Sequence, residues 1–97
     1  MNYRNKKLVD SARDVDCVSC QNPEACWCHS NAYEHGKGRG IKAHDIFGFY
    51  GCMQCHDWYD GRSNTPPPSV YREDTKQSWF MRMNEKSLRI AAERGYL

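Results

Sequence analysis

The sequence predicts a single small α+β domain in which cysteine side chains hold a metal ion. The chain has 97 residues, a length that suits one domain with one modest core. Its 6 cysteines include two C-x-x-C pairs, which are typical of metal sites. Two short segments have the composition of strands, and two others have helical patterns. A metal cross-link would add stability that so small a core needs.

The composition excludes several classes of function. No stretch approaches the roughly 18 apolar residues that a membrane helix requires, so no membrane association is expected. The net charge of +2 is too small for a polybasic arm that binds nucleic acid by bulk charge, although it leaves room for a local basic patch. The first residues lack the apolar run of a secretory signal, so we expect a cytoplasmic protein. In that reducing compartment, dense cysteines favour metal over disulfides.

The first part of the chain carries the expected strands and one short helix. Residues 1–16 are charged and predict a short helix or an arm that leads into the core. A strand is expected over residues 25–29, and the aromatic stretch 46–52 predicts a second strand. A short helix fits residues 54–60, and Gly61 is well placed to end it.

The second part of the chain is predicted to be a linker followed by a long helix. The prolines of residues 63–69 exclude a helix or a central strand. A helix is then expected over about residues 75–94, closed by Gly95. Its apolar positions are Trp79, Phe80, Met83, Leu88, Ile90 and Ala91. We expect this stripe to pack against the domain, and the alternative is a dimer surface. The predicted divisions are an arm at 1–16, a cysteine-rich core at 17–62, a Pro-rich linker at 63–69 and a helical segment at 70–97.

The two C-x-x-C pairs predict a structural zinc site. They are Cys17–Cys20 and Cys52–Cys55, and 31 residues separate them. Each pair points two thiolates at one place, so two pairs complete a tetrahedral site with four thiolate ligands. The long gap suits a hairpin between the pairs and a helix that begins at the second pair. The alternative is a set of buried free thiols.

Cys26 and Cys28 compete with these ligands. They could replace one of the pairs, or form a second site with His29 or His35. A C-x-C sequence on a strand does not make the usual turn of a zinc ligand pair. We therefore expect two ordinary buried cysteines on the inner face of the first strand, with Trp27 and His29 on the other face.

A histidine and an aspartate follow the second cysteine pair. On a helix that begins at Cys55, His56 and Asp60 stand at positions i and i+4 of the same face. An imidazole and a carboxylate placed in this way can hold a divalent cation and leave positions open for water and phosphate. The alternative is an exposed histidine–aspartate pair on a surface helix.

The glycine-rich loop at residues 36–42 predicts a phosphate contact. It carries Lys37, Arg39 and Lys42 and no acidic residue. Its glycines would let backbone N–H groups approach a phosphate. The alternative is a solvated flexible loop. A Walker-type phosphate loop is excluded because no Gly-Lys-Ser/Thr follows at the required spacing.

A combination of motifs over residues 6–62 goes beyond a generic zinc domain. Its members are Ser11-Ala12-Arg13 ahead of Cys17, Asn22-Pro23-Glu24, His29, Gly36-Lys37-Gly38-x-Gly40-x-Lys42, Asp45 and Cys52-x-x-Cys55-His56-Asp57-x-x-Asp60-Gly61-Arg62. The combination resembles the HNH nucleases and their ββα-metal fold. It is most similar to the YbcO-like family of small phage and prophage proteins that are assigned as nucleases.

The resemblance implies a role for each matching residue. His29 would be the general base that activates water. Asp45 would occupy the middle position, where HNH proteins often have Asn, and would pin the loop and orient the histidine. His56 would bind the catalytic metal, with Asp60 as the second candidate ligand. Many HNH proteins have a metal-binding Asp or His directly before the base, and here that place is taken by Cys28.

The resemblance also implies a fold, cofactors and an activity. The fold would be a treble-clef-like ββα-metal core with an added C-terminal helix. The cofactors would be a structural Zn²⁺ on the four paired cysteines and a second divalent metal, Mg²⁺, Mn²⁺, Ni²⁺ or Zn²⁺. The activity would be DNA endonuclease, hydrolysing phosphodiester bonds in the host cytoplasm if the gene belongs to a phage. Two other hypotheses remain: a non-catalytic zinc module that binds DNA or protein, and a phage protein that kept the fold without the chemistry.

Overall fold

A two-stranded antiparallel sheet lies at the centre of the structure, a computed structural model that describes residues 2–97. In chain order the elements are α1 (Lys6–Asp10), β1 (Cys26–His29), β2 (Gly48–Gly51), α2 (Met53–Tyr59) and α3 (Lys76–Glu93). Short 3₁₀ turns add Ser11–Asp14 and Tyr33–His35. The predicted α+β class is therefore confirmed.

The two strands pair over four residues each, and both are shorter than predicted. Cys26 pairs with Gly51, and His29 pairs with Gly48. Residues 46 and 47 lie outside the second strand, where the N–H of Phe47 donates to the carbonyl of His44 in a turn. Gly48 is required at its position, because a Cβ there would lie 2.3 Å from Nε1 of Trp27. The indole ring thus crosses the strand where only a glycine leaves room.

The helices begin and end close to the predicted residues. α2 runs one residue ahead of the prediction and is followed by Gly61 at φ +82°, a left-handed conformation that favours glycine. Thr75 caps α3, because its side chain accepts from the N–H of Ser78 while the Ser78 hydroxyl accepts from the N–H of Thr75. Gly95 follows α3 at φ +79°. Residues 63–69 form neither helix nor strand, as their prolines predict.

α3 packs against β2 and closes the core. Trp79, Phe80 and Met83 are fully buried on this face. The rings of Trp79 and Phe80 meet Phe49 of β2 edge to face, at centroid distances of 5.2 and 5.8 Å. Packing of the apolar stripe against the domain is therefore confirmed. Within residues 2–97, no helix has both the length and the apolar character needed to cross a membrane.

Candidate metal centre and histidine–aspartate site

The four paired cysteines meet at one place. Cys17 and Cys20 lie on a turn in which Gln21, at φ +62°, donates its N–H to the carbonyl of Cys17. Cys52 directly precedes α2, and Cys55 lies in the first turn of this helix. The chain therefore brings a turn and a helix start together, as the spacing of the two pairs predicts.

The sulfur atoms of this cluster are spaced as one metal ion requires. The Sγ–Sγ distances are 3.7 Å for Cys17–Cys55, 3.3 Å for Cys20–Cys52, 3.6 Å for Cys52–Cys55 and 4.0 Å for Cys20–Cys55. Four sulfurs bound tetrahedrally to zinc at about 2.3 Å lie about 3.8 Å from one another. The four ligand atoms all lie within 4.8 Å of one another. The cluster can therefore hold a structural metal ion, and zinc fits its donors.

The thiols of this cluster also affect one another's ionisation. Contact with the Cys55 thiol lowers the pKa of Cys17 to about 4. Hydrogen bonding to Cys17 in turn raises the pKa of Cys55 far above its ordinary value, and burial raises the pKa of Cys20 to about 11. Without a metal, ionisation of one thiol makes ionisation of its neighbours less favourable. A divalent ion would allow all four to ionise together.

A second group of possible metal ligands lies beside the first. Sγ of Cys26, Sγ of Cys28 and a ring nitrogen of His56 all lie within 4.8 Å of one another. The expectation of two buried cysteines is wrong for Cys26, which is exposed, whereas Cys28 is buried. The reason is the strand register, since Cys26 pairs with Gly51, which has no side chain to cover it. The thiol of Cys28 lowers the pKa of Cys26 to about 5.

His29 and Asp45 form a hydrogen-bonded pair. Nε2 of His29 lies 2.7 Å from Oδ1 of Asp45, whose side chain is only 5% exposed. Asp45 also accepts from the N–H of Asn5 at 2.6 Å and from Nη1 of Arg4 at 3.1 Å. Burial opposes ionisation, but the hydrogen bonds from His29, Asn5 and Arg4 prevail and hold the pKa of Asp45 below its usual value. Asp45 is therefore an ionised acceptor at neutral pH.

His56 and Asp60 also contact each other. Nε2 of His56 lies 2.9 Å from Oδ2 of Asp60 at the end of α2, so the i, i+4 spacing brings them together. Asp60 is held further by Nη2 of Arg62 at 3.2 Å and by Nδ2 of Asn31 at 3.0 Å. It is not one of the residues that cluster around Cys26 and Cys28. Hydrogen bonding to Cys26 raises the pKa of His56, and the charge of Asp60 adds to that effect.

The two histidines line one open cavity. Its volume is about 230 Å³, and its walls are Trp27, His29, Ser30, Asn31, Lys37, Lys42, His56 and Asp60. The cavity thus joins the candidate base, the candidate metal ligand and two basic residues. A phosphate entering it would meet imidazole and ammonium groups.

The basic loop contributes two of its three cations to this cavity. Lys37 and Lys42 line the wall, whereas Arg39 is exposed and lies outside it. Gly38 and Ile41 exchange backbone hydrogen bonds of 3.0 Å in both directions, which makes residues 38–41 a tight turn. The carbonyl of Lys42 accepts from Nδ2 of Asn2 at 2.8 Å and is held to the N-terminal arm. The end of the loop at Lys42 is therefore held in place by its hydrogen bond to the N-terminal arm.

Several residues around the site gave no signal in the sequence. Arg4 and Asn5 reach Asp45 across about 40 positions of the chain. Asn31 donates to Asp60, and the indole N–H of Trp27 donates to the carbonyl of Asp45 at 2.8 Å. These contacts depend on tertiary structure and follow no local spacing rule.

No family model matches the chain, and comparison with curated proteins and with solved structures found no significant match.

Proposed function

We propose that this protein is a metal-dependent DNA endonuclease of the HNH type, with a treble-clef-like ββα-metal core. The chain order supports the proposal, because a cysteine pair, a strand ending in His29, a second strand and a helix carrying His56 follow one another. The four-cysteine cluster lies at the base of this arrangement and would hold the structural zinc.

The observation that carries the proposal is the hydrogen bond between His29 and Asp45. An ionised carboxylate can only accept hydrogen bonds, so it binds the proton on Nε2 and leaves a lone pair on Nδ1. An imidazole held in this tautomer can take a proton from water at neutral pH. His29 is therefore the proposed general base, and Asp45 is a positioning residue that fixes its ring.

The surroundings of His29 suit a phosphodiester. Lys37 and Lys42 place positive charge in the same cavity, where it would neutralise phosphate oxygens. Arg39, exposed on the same loop, would contact the DNA backbone outside the cavity. His56 lies in the cavity wall together with His29. A divalent metal bound beside His56 would supply charge neutralisation at the phosphate and at the leaving 3′ oxygen.

The proposal is tested by incubating the purified protein with supercoiled plasmid and with single-stranded DNA in Mg²⁺, Mn²⁺, Ni²⁺ or Zn²⁺. We expect nicking by the wild type and a loss of about 10²- to 10⁴-fold in His29→Ala, which removes the base. The matched control is His44→Asn, which lies outside the cavity and keeps an acceptor near the Nδ1 position for the N–H of Tyr3. If the wild type cuts no DNA with any of these metals, the nuclease proposal fails and a non-catalytic zinc module takes its place.

A further inference from the structure

The thiols of Cys26 and Cys28 converge more closely than their strand requires. Residues two apart on one face of a strand are separated by roughly 6.6 Å. The two sulfur atoms nevertheless lie 3.6 Å apart, close to the spacing of sulfurs on one zinc ion. The side chains have therefore turned toward a common point.

The backbone opposite leaves room for this convergence. A Cβ on Gly51 would lie 3.0 Å from Sγ of Cys28 and 2.4 Å from the ring of Phe49. Sγ of Cys28 instead lies 3.7 Å from the carbonyl oxygen of Gly51. Any other residue at position 51 would press on this sulfur.

A third donor comes from the neighbouring helix. A ring nitrogen of His56 lies within 4.8 Å of both sulfur atoms, although its residue is 28 positions or more away along the chain. Two thiolates and an imidazole are a donor set that zinc accepts when a fourth position stays open. Cys28 is buried, whereas Cys26 is exposed and His56 lines the cavity, so one side of the cluster can be reached from solvent.

We propose that Cys26, Cys28 and His56 bind a second zinc ion whose fourth position is open. Thiolates are soft ligands, so the site favours zinc over magnesium and manganese. Asp60 contacts Nε2 of His56 and acts as a positioning residue that holds the ring, as carboxylates commonly do for metal-bound histidines. Binding of this ion does not depend on the nuclease reaction, whereas its use in hydrolysis rests on the proposed function.

The first test counts the metal. The full chain is saturated with zinc under reducing conditions and passed through a gel-filtration column to remove free zinc. Its zinc content per chain is then measured by elemental mass spectrometry. We expect two zinc ions per chain in the wild type and one in Cys26→Ser, which alters an exposed side chain and should fold. The matched control Ala25→Ser places the same residue one position earlier and should keep two ions. His56→Ala should also retain one ion.

Cobalt and the Asp60→Asn variant provide a second test. Cobalt titration should show thiolate-to-metal charge-transfer absorption in two phases, and Cys26→Ser should lose the weaker phase. Asp60→Asn should keep both phases and weaken the second about 10- to 100-fold. An unchanged second affinity in Asp60→Asn would overturn the positioning role of Asp60.

The outcomes separate this site from the proposed function. One ion in the reduced wild type, two ions in both Cys26→Ser and His56→Ala, or a Cys26–Cys28 disulfide that persists in reductant would each overturn the second zinc site. Two ions without DNA cleavage would leave the site standing and remove the nuclease. Cleavage by Cys26→Ser at the wild-type rate, with one ion bound, would keep the nuclease and remove the second zinc from its reaction.

Discussion

Nε2 of His29 lies 2.7 Å from Oδ1 of Asp45. This buried carboxylate also accepts a hydrogen bond from the N–H of Asn5 in the N-terminal arm. The strand therefore supplies the imidazole and a loop supplies its carboxylate partner, while the arm donates hydrogen bonds to that carboxylate. Residues from three separate parts of the chain therefore meet beside one histidine.

Replacing Asp45 by Asn should reduce turnover more than it affects binding. The amide can present an N–H toward His29, so the ring loses the acceptor that keeps the Nδ1 lone pair free. We expect kcat for DNA cleavage to fall about 10²- to 10⁴-fold while KM stays within a few-fold. Steady-state kinetics measure both values. Asn keeps one acceptor oxygen, so Asp45→Ala is measured alongside, and a wild-type kcat in both variants would show that Asp45 does not act through His29.

The same substitution should also destabilise the fold. Asp45 accepts hydrogen bonds from the N–H of Asn5 and from Arg4, and bonds to a charged group contribute about 1.5–3 kcal/mol each. We expect the free energy of unfolding of Asp45→Asn, from urea denaturation, to fall by about 1–3 kcal/mol. Arg4→Ala, which removes one partner at the surface, should cost less. Equal stability of wild type and Asp45→Asn would rule out a structural role for the arm contacts.

Loss of one ligand from the four-cysteine cluster should unfold the domain. The free energy of binding zinc is part of the free energy of folding in small metal domains, about 10–16 kcal/mol in zinc-finger peptides. Cys52→Ser should therefore lose this ion and its cooperative thermal transition. Met53→Ser, an exposed neighbour in the same helix, is the control and should retain both. Circular dichroism measures the thermal transition, and elemental analysis measures the bound zinc. A Cys52→Ser protein that melts like the wild type would contradict a structural zinc.

Lys37 and Lys42 should contribute to the salt dependence of DNA binding. Each phosphate contact changes the slope of log K against log salt by about 0.9. The double variant Lys37→Ala/Lys42→Ala should lower the slope by about 2 and weaken binding equally on unrelated sequences. Lys86→Ala, an exposed lysine outside this cavity, is the control. Fluorescence anisotropy at several salt concentrations measures the slope, and an unchanged slope in the double variant would remove these residues from the interface.

The cap of α3 should matter for stability and not for chemistry. Thr75→Ala removes the acceptor for the N–H of Ser78 and should cost about 1 kcal/mol of unfolding free energy. Thr75→Ser keeps a hydroxyl and should stay close to the wild type. Urea denaturation provides the comparison, and equal losses in both variants would point to packing instead of the cap.

The sequence predicted best those features that depend on local spacing. The C-x-x-C pairs, Gly61 and Gly95 could be interpreted because a ligand turn or a helix end needs a particular residue a fixed number of positions away. The contact between His56 and Asp60 follows from helical periodicity in the same way.

The rest of the site depends on tertiary contacts that no spacing encodes. The exposure of Cys26 and its approach to His56 follow from a strand register that pairs it with Gly51. The approach of Arg4 to Asp45 depends on how the arm folds back over the loop. The basic loop illustrates the same limit, since its composition grouped Arg39 with Lys37 and Lys42, and only the tertiary structure shows that Lys37 and Lys42 line the cavity and Arg39 does not.

The hydrogen bonds from Asn5 and Arg4 to Asp45 limit which fragments of this protein can keep the site intact. A piece trimmed to residues 17–62 would contain every cysteine and histidine of the chain. It would nevertheless lack Asn5 and Arg4, which hold the carboxylate, and Trp79 and Phe80, which cover β2. A stretch that contains every cysteine and histidine is therefore shorter than the stretch needed to hold them in place.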